Sequence, residues 1–298
     1  MYRRITTSMA SFCRNRPPEE AMRMVAEAGF EGLDFPLSVY ADGYGAPLTG
    51  DNWRRWAIET AACAERLGLP VVQAHAPWGQ SIGDCFRYEA PWDIFERVME
   101  VCHILGCRNL IFHPLRQPER VDGAAMRQRI HDYNVRWFHD LLPWAERYDI
   151  VINLENTFDS HHVQRPSDPP YPYTRAEDML VLQRDIGSSR VMLCLDTGHA
   201  NIEAQDVPAM IRAYRGELAT VHLNDNYGRI GPIYEDLHLY PGDGLLDWSA
   251  IFSALREIGF SGAYNMEPIA ALKRQPDELR RISLRAAATI LRSLAGKM

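Results

Sequence analysis

Val191-Met192-Leu193-Cys194-Leu195-Asp196-Thr197-Gly198-His199 is the stretch on which the fold turns. An unbroken apolar run ends in an aspartate, and a glycine and a histidine follow at once. A strand with one face in water alternates apolar and polar residues. A continuous run needs cover on both faces, as a parallel strand between helices has. Working outward, similar runs occur near Ile5–Phe12, Gly32–Leu37, Pro70–His75, Asn109–His113, Ile150–Glu155, Ala219–Leu223 and Ala263–Glu267. Amphipathic stretches separate them. One opens at Pro17-Pro18-Glu19-Glu20 and stops before Gly29, with proline and acids at its start and glycine at its end. Thr174 with Glu177 reads as a capping box. The last helix is expected to bury Leu279, Ile282, Ala286, Ile290 and Leu294, spaced by threes and fours. Strand and helix alternating eight times predict an α/β fold, a (β/α)8 barrel, in a single domain over 1–298.

The connections are unequal. Helix-to-strand links are short, as at Ala28-Gly29-Phe30, Leu105-Gly106-Cys107 and Ile258-Gly259-Phe260. Strand-to-helix links are long: Pro36–Asp51, Ala76–Pro91, Asn156–Tyr173 and Asn224–Asp247. In a barrel these long links share the C-terminal face, where active sites are built, so one elaborated functional face is expected.

Composition narrows the function. With 298 residues and 46% apolar content the chain can bury a large core. A net charge of −7 disfavours a nucleic-acid partner. No apolar run is long enough for a membrane span, and no apolar segment of signal-peptide type follows the basic N-terminus. Cys13, Cys63, Cys85, Cys102, Cys107 and Cys194 form no CxxC pair, which suggests reduced thiols and a cytoplasmic protein.

Polar residues stand where the apolar runs end: His75, His113, Glu155, Asp196, His222 and Glu267, with His199 just beyond Asp196 and Asp236 and His238 in a long loop. Strand ends of a barrel converge on its axis, so these groups can meet. Carboxylates and imidazoles without sulfur suit manganese, magnesium, cobalt, iron or zinc. Such an ion, with open positions for a carbonyl and a hydroxyl oxygen, stabilises an enediolate. Singly, each residue has a plainer reading. A strand-end histidine is ordinarily a hydrogen-bonded structural group, and Asp196 could cap the next helix. Glu155 and Glu267 resist it, because glutamate is rarely buried without a partner. His103, His131, His139, His161 and His162 read as surface residues, and Trp53, Trp56, Trp137 and Trp144 as core.

Asn153-Leu154-Glu155-Asn156, Leu195-Asp196-Thr197-Gly198-His199, Val221-His222-Leu223-Asn224-Asp225, Asp236-Leu237-His238 with Pro241-Gly242-Asp243-Gly244, and Asn265-Met266-Glu267-Pro268 resemble the sugar phosphate isomerase/epimerase family. These are the xylose-isomerase-like TIM barrels, among them ketose 3-epimerases, hydroxypyruvate isomerase and inosose dehydratase. The resemblance implies one divalent ion, manganese first and magnesium, cobalt or zinc otherwise, held by Glu155, Asp196, His222 and Glu267. It makes Glu155 and Glu267 the acid/base pair. It gives His199 a substrate oxygen, with His75, His113, His238 and Arg229 as further substrate contacts. Arg229 follows His222 one residue later than the epimerase pattern has it. The implied reaction is proton abstraction beside the carbonyl of a small keto sugar or polyol. Elimination on an inosose or keto-glycoside is the alternative. An unphosphorylated substrate is expected, because the long loops carry no glycine-rich phosphate motif; Trp78, Phe158, Tyr171 and Tyr173 would suit an aglycone. Relatives of this kind are often dimers or tetramers, which allows a homo-oligomer. A second resemblance, to type IV apurinic endonucleases with a trinuclear zinc site, matches the same histidines and acids; the acidic net charge argues against it.

Overall fold

The computed structural model describes residues 3–43, 45–77, 93–115, 124–159, 171–228, 236–268 and 272–296. Eight parallel strands follow one another around a barrel: β1 (Ile5–Ser8), β2 (Leu33–Pro36), β3 (Val71–His75), β4 (Asn109–Phe112), β5 (Val151–Glu155), β6 (Val191–Asp196), β7 (Leu218–His222) and β8 (Tyr264–Met266). β1 pairs with both β2 and β8, and a parallel bridge between Leu223 and Met266 closes the ring. The described helices are α1 (Ala10–Cys13), α2 (Pro18–Ala28), α3 (Leu37–Asp42), α4 (Trp53–Arg66), α5 (Asp93–Ile104), α6 (Ala124–Arg147), α7 (Ala176–Ile186), α8 (Thr197–Ile202), α9 (Val207–Ala213), α10 (Trp248–Glu257) and α11 (Asp277–Gly296). None of them is long and apolar enough to cross a membrane.

The continuous apolar runs are explained by the two-sided cover. Leu193, Cys194 and Leu195 of β6 are all fully buried, as are Leu110 and Ile111 of β4. The barrel interior is unusually polar below the site: Thr6, Asp34, Gln73, Asn153, Thr220 and Asn265 are buried within it. The register sets the ends of β6 and β7 level and the end of β5 two residues lower on β6. Asp196 stands beside His222, and Glu155 beside Cys194.

Two local expectations are corrected. α11 buries Arg280, Leu284, Ala287, Ala288 and Leu291, whereas Leu279 and Ile282 are 51% and 55% exposed. Ala286 is exposed too, and Ile290 and Leu294 lie half-buried at the edge of the core. The period was right and the phase wrong. Two alanines let α11 approach closely, and Arg280 turns inward to donate to the Leu272 carbonyl and pair with Asp277. Nor is Thr174 a helix cap. Its hydroxyl donates to the Tyr171 carbonyl at 3.0 Å, and α7 begins behind Arg175 with no side-chain cap. Tyr173, at φ 64°, turns the chain inward there.

Candidate active site

The strand-end residues meet. His222 is fully buried, with Nδ1 2.8 Å from Glu155 Oε1, 3.5 Å from Glu267 Oε2 and 3.9 Å from Asp196 Oδ2. Glu155 Oε2 lies 3.3 Å from His75 Nε2 and 3.1 Å from His113 Nε2, and those two nitrogens are 3.1 Å apart. Asp236 Oδ2 lies 2.8 Å from His238 Nε2 and 3.4 Å from His199 Nε2. Every expected site residue among the described ones therefore belongs to one connected cluster. Arg229 and Trp78 fall outside the described residues.

Backbone contacts aim the imidazoles. His75 Nδ1 donates to the Ala76 carbonyl at 2.9 Å, His199 Nδ1 to the Asn156 carbonyl at 2.9 Å, and His238 Nδ1 to the Glu267 carbonyl at 3.1 Å. Each thereby aims its Nε2 at the carboxylates. For Asp196, helix capping and a place in the site prove compatible. Its Oδ1 accepts from His199 N at 2.7 Å and caps α8, while its Oδ2 faces His222 and accepts from Asn224 Nδ2 at 2.8 Å. Asn156 locks the same aspartate by its backbone, donating to Asp196 O and accepting from Asp196 N. A Cβ on Gly198 would stand 1.9 Å from Asn224 Oδ1, so the glycine is what lets Asn224 reach Asp196.

Asp225, buried next door, organises the following loop. Oδ1 accepts from Asn226 N and Leu246 N, and Oδ2 from Gly242 N and Trp248 Nε1. Gly244 packs so tightly on this carboxylate that a Cβ would lie 2.2 Å from Oδ1. The Pro-Gly-Asp-Gly-Leu-Leu-Asp-Trp stretch is thus a wrapping around Asp225, and it carries the chain that presents Asp236 and His238.

The donor set fits a divalent cation. Asp196, His222 and Glu267 each offer an atom within 4.8 Å of the others, as do His75, His113 and Glu155, and Asp196, His199 and His238. Ligand atoms at about 2.0–2.1 Å from a tetrahedral ion are roughly 3.3 Å apart, close to the spacing around Glu155 Oε2. That oxygen is buried and makes no well-formed hydrogen bond among the described residues.

Electrostatics separates the two glutamates. Burial raises the Glu155 carboxyl, but His222 and His113 outweigh it and hold the group well below the usual range. Burial pushes Glu267 up, and here the nearby His222 and His238 do not reverse it. Burial disfavours the charged imidazoles, yet the carboxylates win: Glu155 and Glu267 raise His222, Asp196 and Asp236 raise His199 to about 9, and Asp236 raises His238 to about 10. A cluster so full of perturbed groups in one mouth marks a functional site.

Sequence reasoning missed Asp34, fully buried under His222 and 2.9 Å from its Nε2. It lies inside β2 rather than at its end; the available signal was a lone acid in an apolar strand. Tyr171 and Tyr173 are both buried, and the Tyr173 hydroxyl accepts from Asn134 Nδ2 at 3.2 Å. Phe158 does reach the site, with its ring 4.7 Å from that of His199. His103 and His139 are exposed and His131 pairs with Asp185 on the surface, while Trp53 and Trp137 are core; His161 and His162 fall outside the described residues.

A parallel barrel with acids and histidines gathered at its strand ends defines a class, and comparison with known proteins assigns the family. The chain belongs to the xylose isomerase-like TIM barrels, whose family model matches residues 22–288. D-psicose 3-epimerase of Enterocloster bolteae is 32% identical over 258 residues, 83% of this chain and 75% of that one. Inosose isomerase of Bacillus subtilis is 26% identical over 58% of each chain. Among solved structures, a D-psicose 3-epimerase in the presence of D-fructose superposes with a TM-score of 0.74 at 17% identity, covering 98% of this chain and 99% of that one. The IOLI protein with a binding zinc atom gives 0.73 at 18% identity, covering 99% and 97%. The relatives place the chain among enzymes.

Proposed function

We propose that the protein is a divalent-metal-dependent isomerase or epimerase of a small keto sugar or related polyol. The observation that carries this reading is the meeting of two glutamates, one at the end of β5 and one just after β8, at one imidazole, with Glu155 at 2.8 Å and Glu267 at 3.5 Å from His222 Nδ1. The relatives named for D-psicose and inosose support the substrate class. Glu155, Asp196, His222 and Glu267 would hold the ion, manganese being first choice. When bound, it supplies positive charge beside the substrate carbonyl oxygen.

The chain's own groups do the rest. Glu155, kept ionised by its imidazole neighbours, accepts the proton next to the carbonyl. Glu267, just after β8, delivers a different proton of its own. Delivery to the same carbon from the opposite face gives epimerisation; delivery to the neighbouring carbon gives ketose–aldose isomerisation. Loss of a β-hydroxyl or β-glycoside instead gives elimination. His199, with Nδ1 fixed on a carbonyl, presents Nε2 to a substrate oxygen; His75, His113 and His238 are aimed the same way. The described cysteines are buried and free, which fits a reducing, cytoplasmic setting. The test is to incubate the manganese-loaded protein with ketoses, inososes and keto-glycosides in heavy water and follow loss of the α-proton by NMR. No exchange on any of them refutes the reading.

One observation favours a second reading. The overlapping donor groups could hold more than one ion, as a phosphodiester-cleaving site would. Cleavage of abasic DNA without proton exchange on sugars would establish it. The net charge of −7 weighs against it.

A further inference from the structure

We propose that Asp34 is a positioning residue that decides which nitrogen of His222 faces the site. The inference rests on the metal site proposed above, and concerns a residue that would not touch the ion. Asp34 lies in β2, one layer below the strand ends, and is fully buried. Its Oδ2 is 2.9 Å from His222 Nε2, 3.0 Å from Gln73 Nε2 and 3.1 Å from Asn265 Nδ2. These partners come from β7, β3 and β8, so the carboxylate is tied across the barrel. Thr6 donates to Asn265 Oδ1 at 2.9 Å, which turns the Asn265 amide nitrogen toward Asp34.

Such a carboxylate, receiving amide donors on the same oxygen, is an acceptor toward the imidazole. His222 Nε2 then keeps its hydrogen on Asp34, and Nδ1 is the nitrogen that would give up its proton to Glu155's side of the site when an ion binds. Nδ1 is the nitrogen that faces Glu155, Glu267 and Asp196. The two ring nitrogens of a free imidazole are nearly equivalent, so without Asp34 nothing beneath His222 selects between them. A ligating imidazole generally needs such a partner on its other nitrogen, and losing it weakens metal binding by about 10–100-fold. Packing alone does not account for an acid here. A fully buried aspartate costs stability unless it is paired, and a leucine-like side chain would fill a barrel layer more cheaply.

The experiment needs no substrate, so it stands apart from the choice of reaction. Measure zinc and manganese affinity by competition with a chelator for wild type, Asp34→Asn and Asp34→Ala. Record nitrogen-15 histidine spectra of the zinc-loaded proteins, with circular dichroism as the check on folding. The expected wild-type signature is His222 bound through Nδ1 with a slowly exchanging Nε2 proton. Asp34→Asn keeps an acceptor oxygen of the same size and folds; it should bind about 10-fold more weakly with a faster-exchanging Nε2 proton. Asp34→Ala should lose about 100-fold and recover occupancy in excess metal. Unchanged affinity and spectrum in folded Asp34→Asn overturn the proposal, as does wild-type coordination through Nε2. A wild type that binds no ion through His222 overturns both this proposal and the metal site. Metal binding as expected, with no turnover of any sugar, leaves Asp34 in its role and removes only the substrate reading.

Discussion

Gly198→Ala should cost both stability and metal affinity, although residue 198 offers no ligand. The added methyl carbon would stand 1.9 Å from Asn224 Oδ1, and a further 3.0 Å contact with Asn226 Nδ2 blocks one way out. Something has to shift, and Asn224 is the side chain in the way. Overpacking of this kind costs about 1–3 kcal/mol. Moving Asn224 also breaks its 2.8 Å bond to Asp196 Oδ2, and a hydrogen bond to a charged group is worth about 1.5–3 kcal/mol. Together the loss is roughly 2.5–6 kcal/mol, which at about 2 °C per kcal/mol for a chain of this size lowers Tm by about 5–12 °C. Freed from Asn224, Asp196 no longer points one oxygen at His222, and divalent-ion affinity should fall about 10-fold or more. Calorimetry with and without metal reads the first effect, and chelator competition the second. The double variant Gly198→Ala, Asn224→Ala separates them. It removes the clash and should regain most of the overpacking cost, but not the metal affinity. A single variant with wild-type Tm and wild-type affinity would refute the argument. So would a double variant that regains both.

Glu155→Gln and Glu267→Gln should each lower kcat by about 10²–10⁴ in metal-replete protein, with metal content measured in each; full turnover in either removes the two-glutamate scheme. Chelation should abolish activity and manganese restore it; one bound equivalent by elemental analysis supports the single-ion site, and three equivalents the hydrolytic reading. Apparent metal affinity should rise with pH, by up to about tenfold per unit for each proton displaced, because the raised His222 must be neutral to bind. Flat affinity between pH 6 and 8, by titration calorimetry, would contradict this. In metal-free protein the sign for stability is opposite. His238 is raised from 6.5 to about 10, so its contribution is fully present below about 6.5 and is lost as pH climbs through 10. Tm of the chelated protein should fall over that span, and His238→Gln should flatten the fall.

What the sequence disclosed and what it hid have physical causes. Strands buried on both faces announce themselves as unbroken apolar runs, so all eight were placed to within a few residues, and their polar ends came with them. The phase of α11 was hidden because a stripe of large apolar residues is only one way to bury a helix. Ala287 and Ala288 approach the barrel closely, and Leu279 and Ile282 are left to solvent. Thr174 carried the right spacing for a cap, but a left-handed Tyr173 before it turned the hydroxyl back to Tyr171. Asp34 could not be linked to His222 by any local pattern, since 188 positions separate them and only closure of the barrel brings them together. The asparagines after the ligands were visible as letters. Their task of holding Asp196 is legible only in three dimensions.

The wrapping around Asp225 bears on how this protein could be altered. Four donors converge on that carboxylate and one glycine has no room for a side chain, so the stretch from Pro241 to Trp248 moves as one piece or not at all. Gly244→Ala would drive a methyl into that carboxylate and Trp248→Phe would remove one of its donors, so either should cost stability rather than retune the protein. Attempts to redirect the protein to a new compound should leave that stretch untouched and place their diversity around Phe158, which borders His199 without carrying the scaffold.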